Sequence, residues 1–198
     1  NSVDFSLAAL MESFESGNFE DLDWNLSGNA LWSIDSSPIN VFTGGYSARS
    51  GTIGDATISD LEITMDIFED GDISFYKKVS CEAIGSLWYD FLAFYIDGVE
   101  QDRWAGEVAW SQSSYNVSSG EHTFKWSFTK DTDSSPNVPS GQDAVWIDNI
   151  QFPPVESPGS GVLGDVNGDT TANVADIILI VNMILEVMEP NYFTADLN

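Results

Sequence analysis

Basic residues are scarce in this chain. Six Lys and Arg stand against 32 Asp and Glu in 198 residues, a formal net charge of −26. Such a field repels nucleic acid and anionic membrane surfaces, which excludes both as partners. It suits a surface neutralised by divalent cations, or one kept soluble by charge alone. Cysteine is limited to Cys81, so no internal disulfide can form. Its setting, SFYKKVSCEAIGS, predicts a buried structural thiol. His122 is the lone histidine, and neither an H-E-x-x-H nor a G-x-S-x-G motif is present. Paired carboxylates can cleave glycosides, but among 32 acids chance pairs are abundant. The sequence therefore predicts a protein that is not an enzyme. The longest apolar run, IILIVNMIL, falls well short of the ~20 residues that span a bilayer, so no membrane insertion is expected. The opening NSVDF, without an initiator Met or signal peptide, reads as a mature or trimmed start.

What is present sorts into four segments. Residues 12–152 carry short alternating stretches: LEITMDIF, DISFYKKVS, DFLAFYIDG, HTFKWSFTK and AVWIDNIQF. The turn signals FEDGD, IDGVE, VSSGE and SSPNVPSG separate them. Aromatics concentrate in these stretches, as a sandwich core requires. The expected fold is an all-β jelly-roll sandwich with a small C-terminal α segment. PPVESPGSG at 153–161 is a linker by composition. Residues 162–198 form a second unit, and residues 1–11, NSVDFSLAALM, an apolar N-terminal arm.

The second unit opens on GDVNGDTTANVAD. With Asp165 at position 1, Asn167, Asp169, Thr171, Asn173 and Asp176 fall at positions 3, 5, 7, 9 and 12. That is the spacing of an EF-hand loop, in which Ca²⁺ gathers hard oxygens from alternate residues and a backbone carbonyl at position 7. The alternative, a polar helix-capping loop, accounts for Asp176 but not for the alternation. Thr170 and Asp176 stand where ordinary EF-hands have Gly and Glu. The segment resembles the first half of a type I dockerin, the calcium module that docks into cohesins. The resemblance implies that TADLN opens a second loop, with Asp196 and Asn198 at its first and third positions. It also implies that Val174 and Ala175 stand at the cohesin-contacting positions. The helix ADIILIVNMILEVM is apolar nearly all round and so expects burial on several sides, against a protein partner or a second copy.

In the β region, ESFESG, GGYSARSG and SGQDAVWIDNIQF together resemble a jelly-roll module of secreted bacterial proteins. That module is similar to cleaved-adhesin and MAM-like domains and to several carbohydrate-binding sandwiches. The resemblance implies a structural Ca²⁺ joining the first and last strands through Glu15 and Asp148. The alternative is that these carboxylates cap strand ends or bond Arg49, whose YSARSG setting suggests a buried ion pair. Of seven Trp, Trp126 and Trp146 read as core, while Trp88 and Trp104 lie near turns and are better surface candidates. Asn25 and Asn116 begin N-x-S sequons. The expected function is non-catalytic calcium-dependent adhesion or assembly at a cell surface or outside the cell. The alternatives are a carbohydrate-binding module that grips a polysaccharide, and a self-assembling filament subunit.

Overall fold

Ten-residue runs such as ISDLEITMDI and GDISFYKKVS place large apolar side chains at every second position, which buries one face of a strand. The computed structural model describes residues 10–84, 87–132 and 141–155, and the four positions Val174, Ile177, Ile178 and Val181. Its strands are Met11–Glu12 (β1), Asn25–Gly28 (β2), Ser33–Asp35 (β3), Ser47–Arg49 (β4), Ile58–Ile67 (β5), Gly71–Ser80 (β6) and Ala83–Ile84 (β7). They continue with Leu87–Trp88 (β8), Phe91–Ile96 (β9), Val99–Trp104 (β10), Glu107–Val117 (β11), Gly120–Thr129 (β12) and Ala144–Gln151 (β13).

Every pairing is antiparallel. One sheet runs β11-β6-β13-β4-β3, with β1 also on β13, and the other runs β10-β9-β12-β5-β2. The strands β7 and β8 form a separate hairpin. Ile73, Phe75 and Val79 from the first sheet meet Phe94, Phe124 and Trp126 from the second in a closed core. The aromatic centre is edge-on: Phe75 and Trp126 stand 5.2 Å apart at 85°, and Phe75 and Phe94 4.8 Å apart. This geometry suits the ring quadrupoles. Cys81 is buried here, its thiol donating to the Asp90 carbonyl, and burial pushes it up to about 12.

The first strand enters at Met11, paired with Gln151, and the amide of Phe152 donates to the Leu10 carbonyl. The two ends of the β domain are thus stitched side by side. Residues 8–155 make one compact unit, and residues 1–7 with 156–198 make another. In the second unit Val174, Ile177, Ile178 and Val181 have helical backbone and are exposed.

Candidate functional site

The last strand reads AVWIDNIQ, and its alternation breaks once. Val145 and Ile147 enter the core, Trp146 and Asp148 face the opposite side, and Ile150 enters the core again. Two core positions three residues apart require an extra residue, and the register against β6 shifts between Asp148 and Gln151. Asn149 takes up the slack with φ +46°, a left-handed conformation that Asn tolerates. Asp148, the last regular position before the bulge, faces out of the sandwich at the loop that joins β3 to β4.

That loop, residues 36–46, folds back over the outer face of the first sheet. Asp148 holds it: Oδ2 accepts from the amides of Phe42 at 3.0 Å and Thr43 at 3.2 Å, and Oδ1 from Asn149 at 2.7 Å. Glu15 holds the end of the loop, accepting from the amides of Gly45 at 3.0 Å and Tyr46 at 3.1 Å. Glu15 follows Phe14, which is wholly buried and left-handed at φ +59°. The Phe14 amide donates to Glu12 Oε1 at 2.6 Å, which fixes this tight turn. Gly44, at φ +77°, lies against the Glu15 carboxylate so closely that a Cβ would overlap it. The sequence-predicted pair Glu15 and Asp148 therefore converges on one loop.

Burial pushes the Asp148 carboxyl up to about 6, against the pull of three backbone amides, and the charge of Glu15 adds to the rise. Among the described residues neither carboxylate has an ion-pair partner. Arg49, the partner in the alternative reading, instead donates to the Ser50 carbonyl at 3.0 Å and lies over the Trp146 ring at 5.9 Å. Two carboxylates that hold the same loop and lack a cationic side chain are the hard oxygen donors that a cation such as Ca²⁺ takes. No third acidic or histidine ligand joins them among the described residues. Backbone carbonyls and water would complete a shell of the size Ca²⁺ requires.

The loop forms an open pocket of about 270 Å³, lined by Ser36, Pro38, Val41, Phe42, Thr43, Gly44 and Gly45. Phe42 stacks on Tyr76 of β6 at 3.7 Å and 16°, and the same residue is among those lining the pocket. Trp110 of β11 stands 5.8 Å from Phe42 and completes an aromatic trio. Beside them, Trp146 sits on the outer face yet is fully buried, covered by Lys78 at 4.8 Å and bonded to Asp35 Oδ2 at 2.8 Å. Its burial was legible in the alternation, but its outward direction was not. Trp104, read as a surface candidate, packs edge-on against Phe75 and under the Lys77 ammonium at 4.3 Å. Phe42 was missed altogether. Its signal is an aromatic inside SSPINVFTGGY, a segment that otherwise reads as turn.

His122 makes a second polar arrangement. Its Nδ1 meets Asp97 Oδ2 at 2.7 Å, and its Nε2 meets Ser118 Oγ at 3.3 Å. The order repeats that of a nucleophile triad, but the neighbouring amide of Ser119 already donates to Asp70 Oδ1 at 2.7 Å. The donor that an oxyanion would need there is committed to the protein.

The positions expected to ligate Ca²⁺, Asp165, Asn167, Asp169, Thr171, Asn173 and Asp176, lie outside the described residues, as do the Trp88 side chain and the expected linker beyond Val155.

No family model and no curated relative matches this chain. Solved structures do. The K1 cleaved-adhesin domain of Lys-gingipain from Porphyromonas gingivalis is 13% identical, with a TM-score of 0.52, and the match covers 73% of this chain and 96% of that one. TmCBM61, solved with β-1,4-galactotriose, is 16% identical over 70% of this chain and 92% of its own, with a TM-score of 0.48. A family 35 carbohydrate-binding module from Clostridium thermocellum is 10% identical over 73% and 96%, with a TM-score of 0.39. These neighbours are adhesin and carbohydrate-binding modules, and the K1 domain establishes a shared sandwich fold.

Proposed function

We propose that this chain is a non-catalytic, secreted or cell-surface carbohydrate-binding module whose sugar subsite is the cavity under residues 36–45. The observation that carries this reading is Phe42, an aromatic residue that lines a small open pocket together with Ser36, Thr43 and the loop glycines Gly44 and Gly45. An apolar ring face with a few hydroxyl and amide groups is the chemistry that a pyranose ring demands. At about 270 Å³ the space sits just under the ~300 Å³ lower end of ordinary ligand pockets, which suits one sugar ring. Calcium belongs to the same reading. Bound at Glu15 and Asp148, it would neutralise one exposed and one buried carboxylate and fix the loop that forms the cavity. A second ion would sit in the 165–176 loop.

The test is calorimetry with simple hexoses and pentoses, in Ca²⁺ and in chelator. Binding should be lost in Phe42→Ala and weakened by chelator. Absence of binding to any sugar tested, in Ca²⁺, would reject the reading. The ion count should fall from two to one in Asp165→Ala and again from two to one in Glu15→Gln.

A second reading is assembly or adhesion through the C-terminal segment. Its support is that Val174, Ile177, Ile178 and Val181, spaced for one helix face, are 68%, 60%, 55% and 45% exposed. Light scattering of Ile178→Asp against the unmodified protein at millimolar Ca²⁺ tests it, because loss of a higher-mass species is expected only if that face is an interface.

A further inference from the structure

The outer face of the first sheet does not stop at the cavity. Tyr76, which carries Phe42, is paired in register with Gln112 on the edge strand β11. Next along the same two strands come Ser74 with Ser114, then Asp72 with Asn116. Alternation points Gln112, Ser114 and Asn116 away from the core, and all three are exposed. Between Glu107 and Glu121 the chain has no charged residue. In a protein with 32 acids, a stretch of edge strand such as Gln112–Asn116, whose outward side chains are amides and a hydroxyl, is a local exception.

We propose that this strip extends the sugar subsite into a track for an extended, uncharged polysaccharide lying along β11. The inference rests on the reading of the Phe42 cavity as the first subsite. The track begins at the aromatic trio Phe42, Tyr76 and Trp110 and continues over Gln112, Ser114 and Asn116. Outward residues repeat at about 6.8 Å, so Gln112 to Asn116 spans roughly 14 Å, longer than a single hexose ring. Gln112 Nε2 donates to Ser74 Oγ at 3.3 Å, which orients the amide. Asn116 Nδ2 reaches Asp72 Oδ1 at 3.3 Å in the same way. Each amide keeps its carbonyl oxygen for a sugar hydroxyl, and Ser114 makes no side-chain bond among the described residues. The ligand is neutral because nothing cationic on the strip matches a uronate, and the field of a −26 chain repels one.

The experiment uses the full chain with Ca²⁺ and neutral β-linked glucose and galactose oligosaccharides, from the monosaccharide to the hexasaccharide. Affinity should climb with length. Loss of one direct hydrogen bond costs about threefold to tenfold, so Gln112→Ala with Ser114→Ala should lower hexasaccharide affinity about tenfold to a hundredfold. The readout is the ratio of hexasaccharide to monosaccharide affinity, with a thermal melt to verify that the exposed substitutions leave the fold intact. A flat length dependence, or a ratio untouched by the double substitution, overturns the track while leaving the Phe42 subsite standing. Equal affinity for polygalacturonate and for galactan also overturns it. If neither monosaccharide nor hexasaccharide binds, the subsite and the track fall together.

Discussion

Asp148 should make the metal-free protein less stable as pH rises from 5 to 7.5. Its carboxyl is fully buried and raised from 3.8 to about 6. A shift of about 2.2 pH units corresponds to roughly 3 kcal/mol between the protonated and ionised forms. The sign follows from proton uptake. Between the unfolded and folded values the native state holds the proton more tightly, so its contribution is complete below 3.8 and disappears as pH rises through 6. Linkage between pH 5 and 7.5 then gives a loss of about 1.4 kcal/mol. For a domain of this size that lowers the melting temperature by roughly 3–6 °C. Other carboxylates work in the opposite direction: Asp97 and Glu100 are held below their ordinary range, by the Thr123 amide and by Arg103 respectively. The assay is therefore a difference. Melts in chelator across this range are compared between the unmodified protein and Asp148→Asn, which keeps the shape and one acceptor but cannot ionise. The pH-dependent gap between the two should be about 1.4 kcal/mol, with the variant gaining relative stability at pH 7.5. Parallel curves would refute the account, because they would show that the buried carboxylate carries no strained charge.

Three further outcomes follow from the described geometry. Lys130→Ala should cost about 3 kcal/mol in urea denaturation. It removes the ammonium that bonds Asp143 at 2.7 Å and pairs with the buried Asp90 at 3.3 Å, and Asp90→Asn in the same chain should recover part of the loss. Gly44→Ala should destabilise the protein by about 1–3 kcal/mol and weaken sugar binding, since it combines positive φ with a clash against Glu15. Ser118 should not be labelled by a fluorophosphonate, and mass spectrometry finding a His122-dependent adduct there would contradict the non-catalytic reading.

Most of the sandwich was legible because a half-buried strand repeats every two residues whatever its partner. ISDLEITMDI and HTFKWSFT give their inward residues without knowledge of strand order. The convergence of Glu15 with Asp148 was reached only through resemblance, since it depends on β1 lying beside β13, a pairing between chain ends. The direction of Trp146 was illegible for a different reason. Lys78 and Arg49 use their side chains to cover an outward ring, and amphipathic cover of this sort leaves no mark on hydrophobic period. The same holds for Phe42, whose partners Tyr76 and Trp110 lie on strands far along the chain.

The departures from local rules gather where function is proposed. Among the described residues five non-glycine positions adopt positive φ, and two of them, Phe14 and Asn149, directly flank Glu15 and Asp148. A bulky buried Phe in that conformation costs on the order of 1–3 kcal/mol, and a fully buried carboxylate adds its own penalty. Phe14 recovers part of this as a core residue, its ring 6.0 Å from Trp24, which stands 6.0 Å from Trp126, whereas the Asp148 carboxylate packs outside that core. What the strained corner does accomplish is to seat the amides of Phe42, Thr43, Gly45 and Tyr46 on two fixed acceptors. The eleven-residue loop, whose first half is tied by Asp35 and Lys78, thereby has its second half set above the sheet, with Phe42 presented on Tyr76. A binding loop gains affinity from such ordering because its entropy is lost on folding and not on meeting the ligand.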